Sequence, residues 1–495
     1  MKFQSTRSDG KIRYSSAQVI KQGLADDGGL FVPEYIPTLS YDEISSFCSL
    51  SYPELAATIL SKFLTDYSYD ELLEDAKNAY THDGFDCENA CALKKVDENT
   101  FALELWHGPT CAFKDMALQI MPRLLSRALT KTNEDRTALV LVATSGDTGK
   151  AALEGYKNID RFKIVVFYPQ NGVSVIQKLQ MVTQDGNNVD VCAVDGNFDD
   201  IQTGVKNIFS DSDIAKELSE NGYFFSSANS INFGRLAPQI VYYVHAYCEM
   251  LKQEEISLGE AINVCVPTGN FGNILAAYIA KLMGLPINKL ICASNSNNIL
   301  TDFLTTGRYD RNRDFHLTIS PSMDILISSN LERLLYMVAG HKKTCEWMKS
   351  LNINGYYEVD DGTLSVIKEN FAGYYADEDK TRHTINNSFS NLNYLMDTHT
   401  AVAFSALSDY RNETNDTTKA IVASTASPYK FAKDVIGALS NNASIDEVDV
   451  LEKLSVATDT HIPKPLSNLD KRSINFSCVC TPEKMKEYVL NFIKK

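Results

Sequence analysis

Residues 137–158 read TALVLVATSGDTGKAALEGYKN: a β-branched apolar run, a polar loop with glycines, then a helical pattern. The same arrangement returns in INVCVPTGNFGNILAAYIAKLMG at 262–284 and in TKAIVASTASPYKFAKDVIGAL at 418–439. Strands that are apolar throughout must be buried on both faces. Alternating with helices, they predict a mostly parallel sheet covered on each side. Ligands of such sheets collect at the carboxyl ends of the strands. All three loops sit at such ends, so the expected fold class is α/β with one shared crevice.

The 495-residue chain is 44% hydrophobic and 22% charged, enough material for about two to four domains. Its 63 acidic and 47 basic residues give a net charge of -16. Such a field disfavours nonspecific binding to nucleic acid or to an anionic membrane. No stretch approaches the length of a spanning helix, and the start, MKFQSTRSDGKIRYSS, lacks the apolar run of a secretory leader. A cytoplasmic protein is therefore expected. The eleven cysteines are scattered, some inside strand patterns such as Val264-Cys265-Val266, which fits reduced thiols rather than a disulfide framework. Cys87 with Cys91, and Cys478 with Cys480, lack zinc-site spacing, so no metal is expected. Asn442 begins an Asn-x-Ser triplet that would carry no sugar in that compartment.

Residues 1–97 read as a mainly helical N-terminal domain, with YDEISSF and YPELAATILSKF following the turn-rich GLADDGGLFVPEYIP. Residues 98–134 and 251–495 are expected to form a large lobe. A long excursion from its sheet lies near 300–395, rich in Asn, Asp, Tyr and Arg and weakly periodic. Residues 135–250, with the strand signals FKIVVFYP and VDVCAVDG, make a smaller α/β lobe.

The loops supply the chemistry. In PTGNFGN, residues 267–273, Gly269 and Gly272 let the backbone approach an anion at a helix N-terminus, and Asn270 and Asn273 add donors. A plain strand-to-helix turn would use the same glycines. A dinucleotide is disfavoured: the spacing is G-x-x-G, and the next strand, KLICASNSNN, ends without an acidic residue for a ribose. A compact monophosphate suits the loop better. ATSGDTGKAALEG, residues 143–155, has the wrong interval for a Walker loop and no hydroxyl after Lys150. Its Ser145 and Thr148 can present hydroxyls to an anion or simply cap the helix. In SSANSINFGRLAPQIVYY, residues 226–243, Asn229, Ser230, Asn232 and Arg235 cluster donors, and Arg is suited to carboxylate or phosphate. HGPTCAFKD, residues 107–115, places Lys114 at a helix start. Its ordinary role is a solvated amine on an apolar stem; its alternative is a desolvated amine that condenses with an aldehyde. A phosphate-binding helix end in the same crevice makes pyridoxal 5′-phosphate the natural aldehyde, with the Thr425 hydroxyl placed to meet its ring nitrogen.

These stretches together resemble the threonine synthase family. HGPTCAFKDMALQ is similar to its cofactor-lysine segment, and ATSGDTGKAALEGY, NSINFGRLAPQ and VPTGNFGN to its other signatures. QGLADDGGLFVPEYIP, YPQNGVSVIQKLQMVT and DGNFDDIQ also match, in the family's order, from about residue 6 to 435. Length and insertion resemble the fungal and bacterial branch rather than the plant branch regulated by S-adenosylmethionine.

The resemblance implies a tryptophan synthase β-type fold (fold type II), with two α/β lobes closing over pyridoxal 5′-phosphate. It implies a carbon–oxygen lyase acting on phosphates, converting O-phospho-L-homoserine and water to L-threonine and phosphate. By motif position Lys114 holds the cofactor, Gly269, Asn270, Phe271, Gly272 and Asn273 bind its phosphate, and Thr425 its pyridine nitrogen. Ser145, Asp147, Thr148, Asn229, Ser230, Asn232 and Arg235 are candidate substrate contacts. Two departures stand out. Thr425-Ala426-Ser427-Pro428 replaces the family's usual Thr-Ala-His-Pro, and Lys150, where a small residue is common, either adds a cation near an incoming phosphate or faces water. Three other readings stay open: a related phospholyase giving 2-oxobutyrate, a serine or threonine dehydratase, and a non-catalytic binding protein. The partner is expected to be a small molecule, with monomer and homodimer both open.

Overall fold

The structure, a computed structural model, describes residues 1–144, 146–171, 173–440 and 449–494. The three repeats form as the pattern predicts. Strand Thr137–Ala143 leads to helix Asp147–Tyr156, and Ile262–Pro267 to Gly272–Leu282. Ala420–Ser424 leads through the 3-10 turn Pro428–Phe431 to Ala432–Ser440.

Two sheets organise these elements. The larger runs in the order Phe371–Tyr375, Ile287–Ser294, Ile262–Pro267, Ala420–Ser424, Thr100–Glu104, Ala92–Lys95. Its first five strands are parallel, and Ala92–Lys95 closes the edge antiparallel to Thr100–Glu104. The smaller sheet, wholly parallel, runs Cys478–Cys480, Val189–Val194, Phe162–Pro169, Thr137–Ala143, Tyr223–Ser226. Central strands such as Ile262–Pro267 and Val189–Val194 are buried at every position, the burial their unbroken apolar runs require. Helix Pro238–Lys252 is buried over almost its whole length.

The N-terminal segment is helical in the described positions Ser16–Gln22, Tyr41–Phe47, Tyr52–Phe63 and Tyr69–Ala79. Ser15 with Gln18, Ser40 with Glu43 and Ser68 with Glu71 form capping boxes, each contributing about 1 kcal/mol to its helix. No described helix is long and apolar enough to cross a membrane.

Two features differ from the sequence expectation. The segment near 300–395 is not only an excursion: Phe371–Tyr375 returns to the large sheet and pairs with Ile287–Ser294 as its edge. That strand is partly exposed and holds a glycine, so its hydrophobic signal is weak. At the C-terminus, Cys478–Cys480 crosses to the smaller sheet and pairs with Val189–Val194.

Candidate active site

Lys114 is placed by a small knot of buried hydrogen bonds. The Asp115 carboxylate accepts from both the backbone N–H and the hydroxyl of Thr110, each at 2.8 Å. Phe113 N–H donates to the Thr425 carbonyl at 2.8 Å, and Ser427 N–H to the Cys111 carbonyl at 3.1 Å. An antiparallel bridge between Ala112 and Ala426 completes the pairing. The lysine loop and the Thr425 loop are thus stitched together, although they lie far apart in the chain. Buried Lys114 sends its Nζ to Asp147 Oδ2 and to Ser322 Oγ, both at 3.4 Å.

Asp147 lies at the start of its helix, after Gly146, whose φ of +140° a side chain would resist. A Cβ at Gly146 would meet Gln177 at 2.4 Å, and Gln177 Nε2 donates to Asp147 Oδ1 at 2.9 Å. The same oxygen lies 3.2 Å from Lys430 Nζ. Asp147 therefore sits between two buried lysines rather than facing open space. Burial works against its charge, yet Lys430, Lys114 and the Gln177 bond hold its pKa far below the usual carboxylate range. Burial lowers the Lys114 pKa below the ordinary lysine value; Asp147 opposes the shift, while Lys430 and Arg235 add to it.

The 267–273 loop opens its helix through Phe271, a non-glycine residue at φ +61° whose ring packs on Phe371 at 5.8 Å. Strained backbone of this kind persists where the surroundings over-determine it. Asn273 Oδ1 accepts from the hydroxyls of Tyr242, at 2.8 Å, and Tyr243. Its Nδ2 is buried with no acceptor among the described residues. The insertion covers this loop. Ser328 Oγ donates to the Gly269 carbonyl at 2.7 Å, Asn330 donates twice to the Asn270 carbonyl, and Ser329 Oγ reaches Asn270 Oδ1 at 3.3 Å. Gly269 is needed there, because a Cβ would stand 2.7 Å from the Ser322 carbonyl. Gly272, partly exposed, opens the helix beside Asn273.

The remaining expected residues divide. Arg235 is buried, donates to the Ala228 carbonyl at 2.8 Å, makes no ion pair among the described residues and leaves Nε unpaired. Burial pulls its pKa down to about 10. Asn232 is committed to the fold: Oδ1 caps Gly234 N–H and Nδ2 donates to the Ile20 carbonyl, both at 2.9 Å. Asn229 is exposed, and Ser230 Oγ reaches its Oδ1 at 3.3 Å. Thr148 is half-buried in the first turn after Asp147. Ser145, like Asn442, lies outside the described residues. Lys150 neither faces water nor stands as a free cation: it is buried and pairs with Glu154 at 2.9 Å and with Gln184. It lines a separate cleft of about 290 Å³ that does not include Lys114, Asn273 or Thr425.

Sequence reasoning missed Lys430, Gln177, Ser322 and His399. His399 Nδ1 lies 2.7 Å from Asp397 Oδ2, and its Nε2 accepts the Ser322 N–H at 3.1 Å. No local spacing marks such groups, since each comes from a different stretch of chain; only Lys430 carried a signal, lying in the same strand-end loop as Thr425.

With this geometry in place, comparison with known proteins becomes informative. Residues 2–80 match the family described as threonine synthase N terminus, 89–425 the pyridoxal-phosphate dependent enzyme family, and 400–489 the threonine synthase C-terminal family. Threonine synthase of Pseudomonas aeruginosa is 37% identical over 441 residues, covering 88% of this chain and 90% of that protein. The chain belongs to the threonine synthase family of pyridoxal-phosphate-dependent enzymes. Human threonine synthase-like 1 is 40% identical over 435 residues, covering 86% of this chain. The match spans 58% of that relative's length. The crystal structure of pyridoxal-phosphate-bound threonine synthase from Brucella melitensis superposes with a TM-score of 0.88 at 34% identity, covering 100% of both chains. The expected fold type II holds, and pyridoxal 5′-phosphate is the cofactor. The residues of this threonine synthase family member fit it: a buried amine, a helix N-terminus with an orphaned amide donor at Asn273, and an arginine without a carboxylate.

Proposed function

We propose that the chain is a threonine synthase, converting O-phospho-L-homoserine and water to L-threonine and phosphate in the last step of threonine biosynthesis. The observation that supports this most directly is the buried Lys114 amine, stitched to the Thr425 loop and held at 3.4 Å from Asp147. In this reading Lys114 holds the cofactor through its amine. Gly269, Asn270, Phe271, Gly272 and Asn273 would take the cofactor phosphate, and Thr425 would be the partner of its ring nitrogen. A cytoplasmic location and a small-molecule partner go with this reading. So does the division into residues 1–97, 98–134 with 251–495, and 135–250, with the last strand carried across to the smaller lobe.

Bound pyridoxal phosphate supplies an electron sink for charge left on a substrate carbon that loses its proton. The chain's own residues do the rest. Lys114 Nζ moves protons at the substrate carbons, and burial, by lowering its pKa below the ordinary lysine value, favours its proton-accepting form. Asp147 Oδ2 and Ser322 Oγ fix that nitrogen in place. Arg235, without a carboxylate among the described residues, draws the anionic substrate, with Ser145, Thr148, Asn229 and Ser230 as further donors; Asn232 holds the loop that carries Asn229 and Ser230. The buried walls exclude water and strengthen each of these contacts.

The test is incubation with O-phospho-L-homoserine, followed by assay of threonine, phosphate and 2-oxobutyrate. Threonine and phosphate in equal amounts are expected, and Lys114→Ala abolishes both. Wild-type turnover retained in Lys114→Ala refutes the assignment. A second reading, the phospholyase, would use the same cofactor and the same buried amine, so product analysis separates the two. Phosphate released with 2-oxobutyrate and no threonine would establish it.

A further inference from the structure

Lys430 has no exposed surface. Its ammonium has three donors, and the fold supplies three acceptors: the Thr110 carbonyl at 2.8 Å, Gln180 Oε1 at 3.0 Å and Asp147 Oδ1 at 3.2 Å. Lys114 is treated differently. Its two polar contacts among the described residues, Asp147 Oδ2 and Ser322 Oγ, are both 3.4 Å away, and neither is a carbonyl. The Asp147 carboxylate is divided between them, with Lys430 and Gln177 on one oxygen and Lys114 and Ser322 on the other.

The one carboxylate that both amines touch balances only one ammonium. The acceptor count says which amine keeps the proton. Resting on the reading of Lys114 as the cofactor lysine, we propose that Lys430 is a positioning residue: it holds the proton and the shared carboxylate, leaving Lys114 as the free amine that takes the cofactor aldehyde. The charged and titratable groups around the pair are Asp147, Arg235, Asp115, His399 and the buried Cys111 thiol, which lies within the field of Lys430. Arg235 bears on Lys114 as a second cation, His399 on Asp147, and Asp115 on Lys430 as a further acid. Like Lys430, Arg235 works against a charged Lys114, so the arrangement is biased in one direction. The Lys430 side chain does not reach solvent and acts through Asp147 and its field.

The experiment reads covalent capture, not turnover. Full-length protein stripped of cofactor is mixed with pyridoxal 5′-phosphate across a pH series. The amine attacks the aldehyde carbon, water leaves, and borohydride reduces the C=N bond to a stable secondary amine located by mass spectrometry. Wild-type capture falls on Lys114, with a midpoint at lower pH than that of an ordinary lysine. Lys430→Met moves the midpoint up by about one pH unit, which slows capture about tenfold below it; Lys430→Gln, which keeps a donor for the Thr110 carbonyl, moves it the same way. Lys430→Arg, which keeps the cation, restores the wild-type profile. Identical midpoints for wild type and the neutral variants overturn the proposal. A wild-type midpoint at the ordinary lysine value overturns it without any variant. Capture at another residue instead of Lys114 defeats the underlying cofactor-lysine reading as well.

Discussion

Replacing Asp115 by Asn isolates the electrostatic cost of the knot that aims Lys114. The Asp115 carboxyl is fully buried, and burial, opposed by the two Thr110 hydrogen bonds, leaves its pKa raised to about 6. A carboxyl that binds its proton more tightly in the folded chain stabilises that fold at low pH. The stability is fully present below the unfolded pKa and is lost as pH rises through the folded one. With about 6 folded and about 3.8 unfolded, linkage gives roughly 2 kcal/mol of extra stability at pH 4.5 and almost none at pH 7.5. Asn does not titrate, yet its oxygen can still accept from Thr110 N–H while its nitrogen donates to the Thr110 hydroxyl. Every other ionisable group is common to both proteins and cancels in the difference. Urea unfolding of wild type and Asp115→Asn, followed by tryptophan fluorescence, should therefore show the wild-type advantage growing by about 2 kcal/mol on acidification from pH 7.5 to 4.5. A gap that stays constant, or that narrows in acid, refutes a raised Asp115 pKa.

Asn273→Ala removes the orphaned amide donor and strips the acceptor from the Tyr242 and Tyr243 hydroxyls. Cofactor affinity measured by titration should fall about tenfold or more, the worth of one lost hydrogen bond to a charged group; unchanged affinity would remove Asn273 from the phosphate cup. Gly155→Ala drives a Cβ to within 2.0 Å of the Leu118 carbonyl, forcing the Asp147 helix away from the turn after Lys114. A loss of about 1–3 kcal/mol is expected from thermal or urea melts, and wild-type stability would show that the two segments are not in such contact. Asp147→Asn leaves Lys430 buried without its carboxylate, at about 3–5 kcal/mol. Combined with Lys430→Met, it should cost less than the sum of the single changes by about 0.5–3 kcal/mol. Additive losses in the double-mutant cycle would sever Asp147 from Lys430.

How legible a feature is in the sequence depends on whether its physical cause is local. The strands Thr137–Ala143, Ile262–Pro267 and Ala420–Ser424 are legible because burial on both faces leaves an unbroken apolar run. The edge strand Phe371–Tyr375 needs no such run and left only FAGYY. Helix Leu331–Asn354 hides for another reason: Gly340, at φ +76°, breaks it within its length, so its period does not carry through. Lys114 and the 267–273 loop stand out as candidates because their signals, a lysine at a helix start and a G-x-x-G turn, are local. Lys430 could not be separated from a surface lysine, since PYKF says nothing of the Thr110 carbonyl and Gln180 that bury it. Asn232 carries the opposite ambiguity: a polar residue ahead of a helix reads equally as a donor and as a cap, and the structure shows the cap.

The pairing around Asp147 also explains why two sheets are needed for one site. Asp147 follows Thr137–Ala143 of the smaller sheet, whereas Lys430 and Lys114 follow Ala420–Ser424 and Thr100–Glu104 of the larger. Neither sheet alone balances its charges. The larger brings two buried amines with no carboxylate between them, and the smaller brings a buried carboxylate with only Gln177 for support. Docking the sheets joins the two incomplete halves. The desolvation cost of the buried Asp147–Lys430 pair thereby falls on the interface rather than on either core. Lys114 thus meets its carboxylate neighbour only where the two sheets come together. The charge balance of the site is thereby tied to the relative position of strand ends that lie far apart in the sequence.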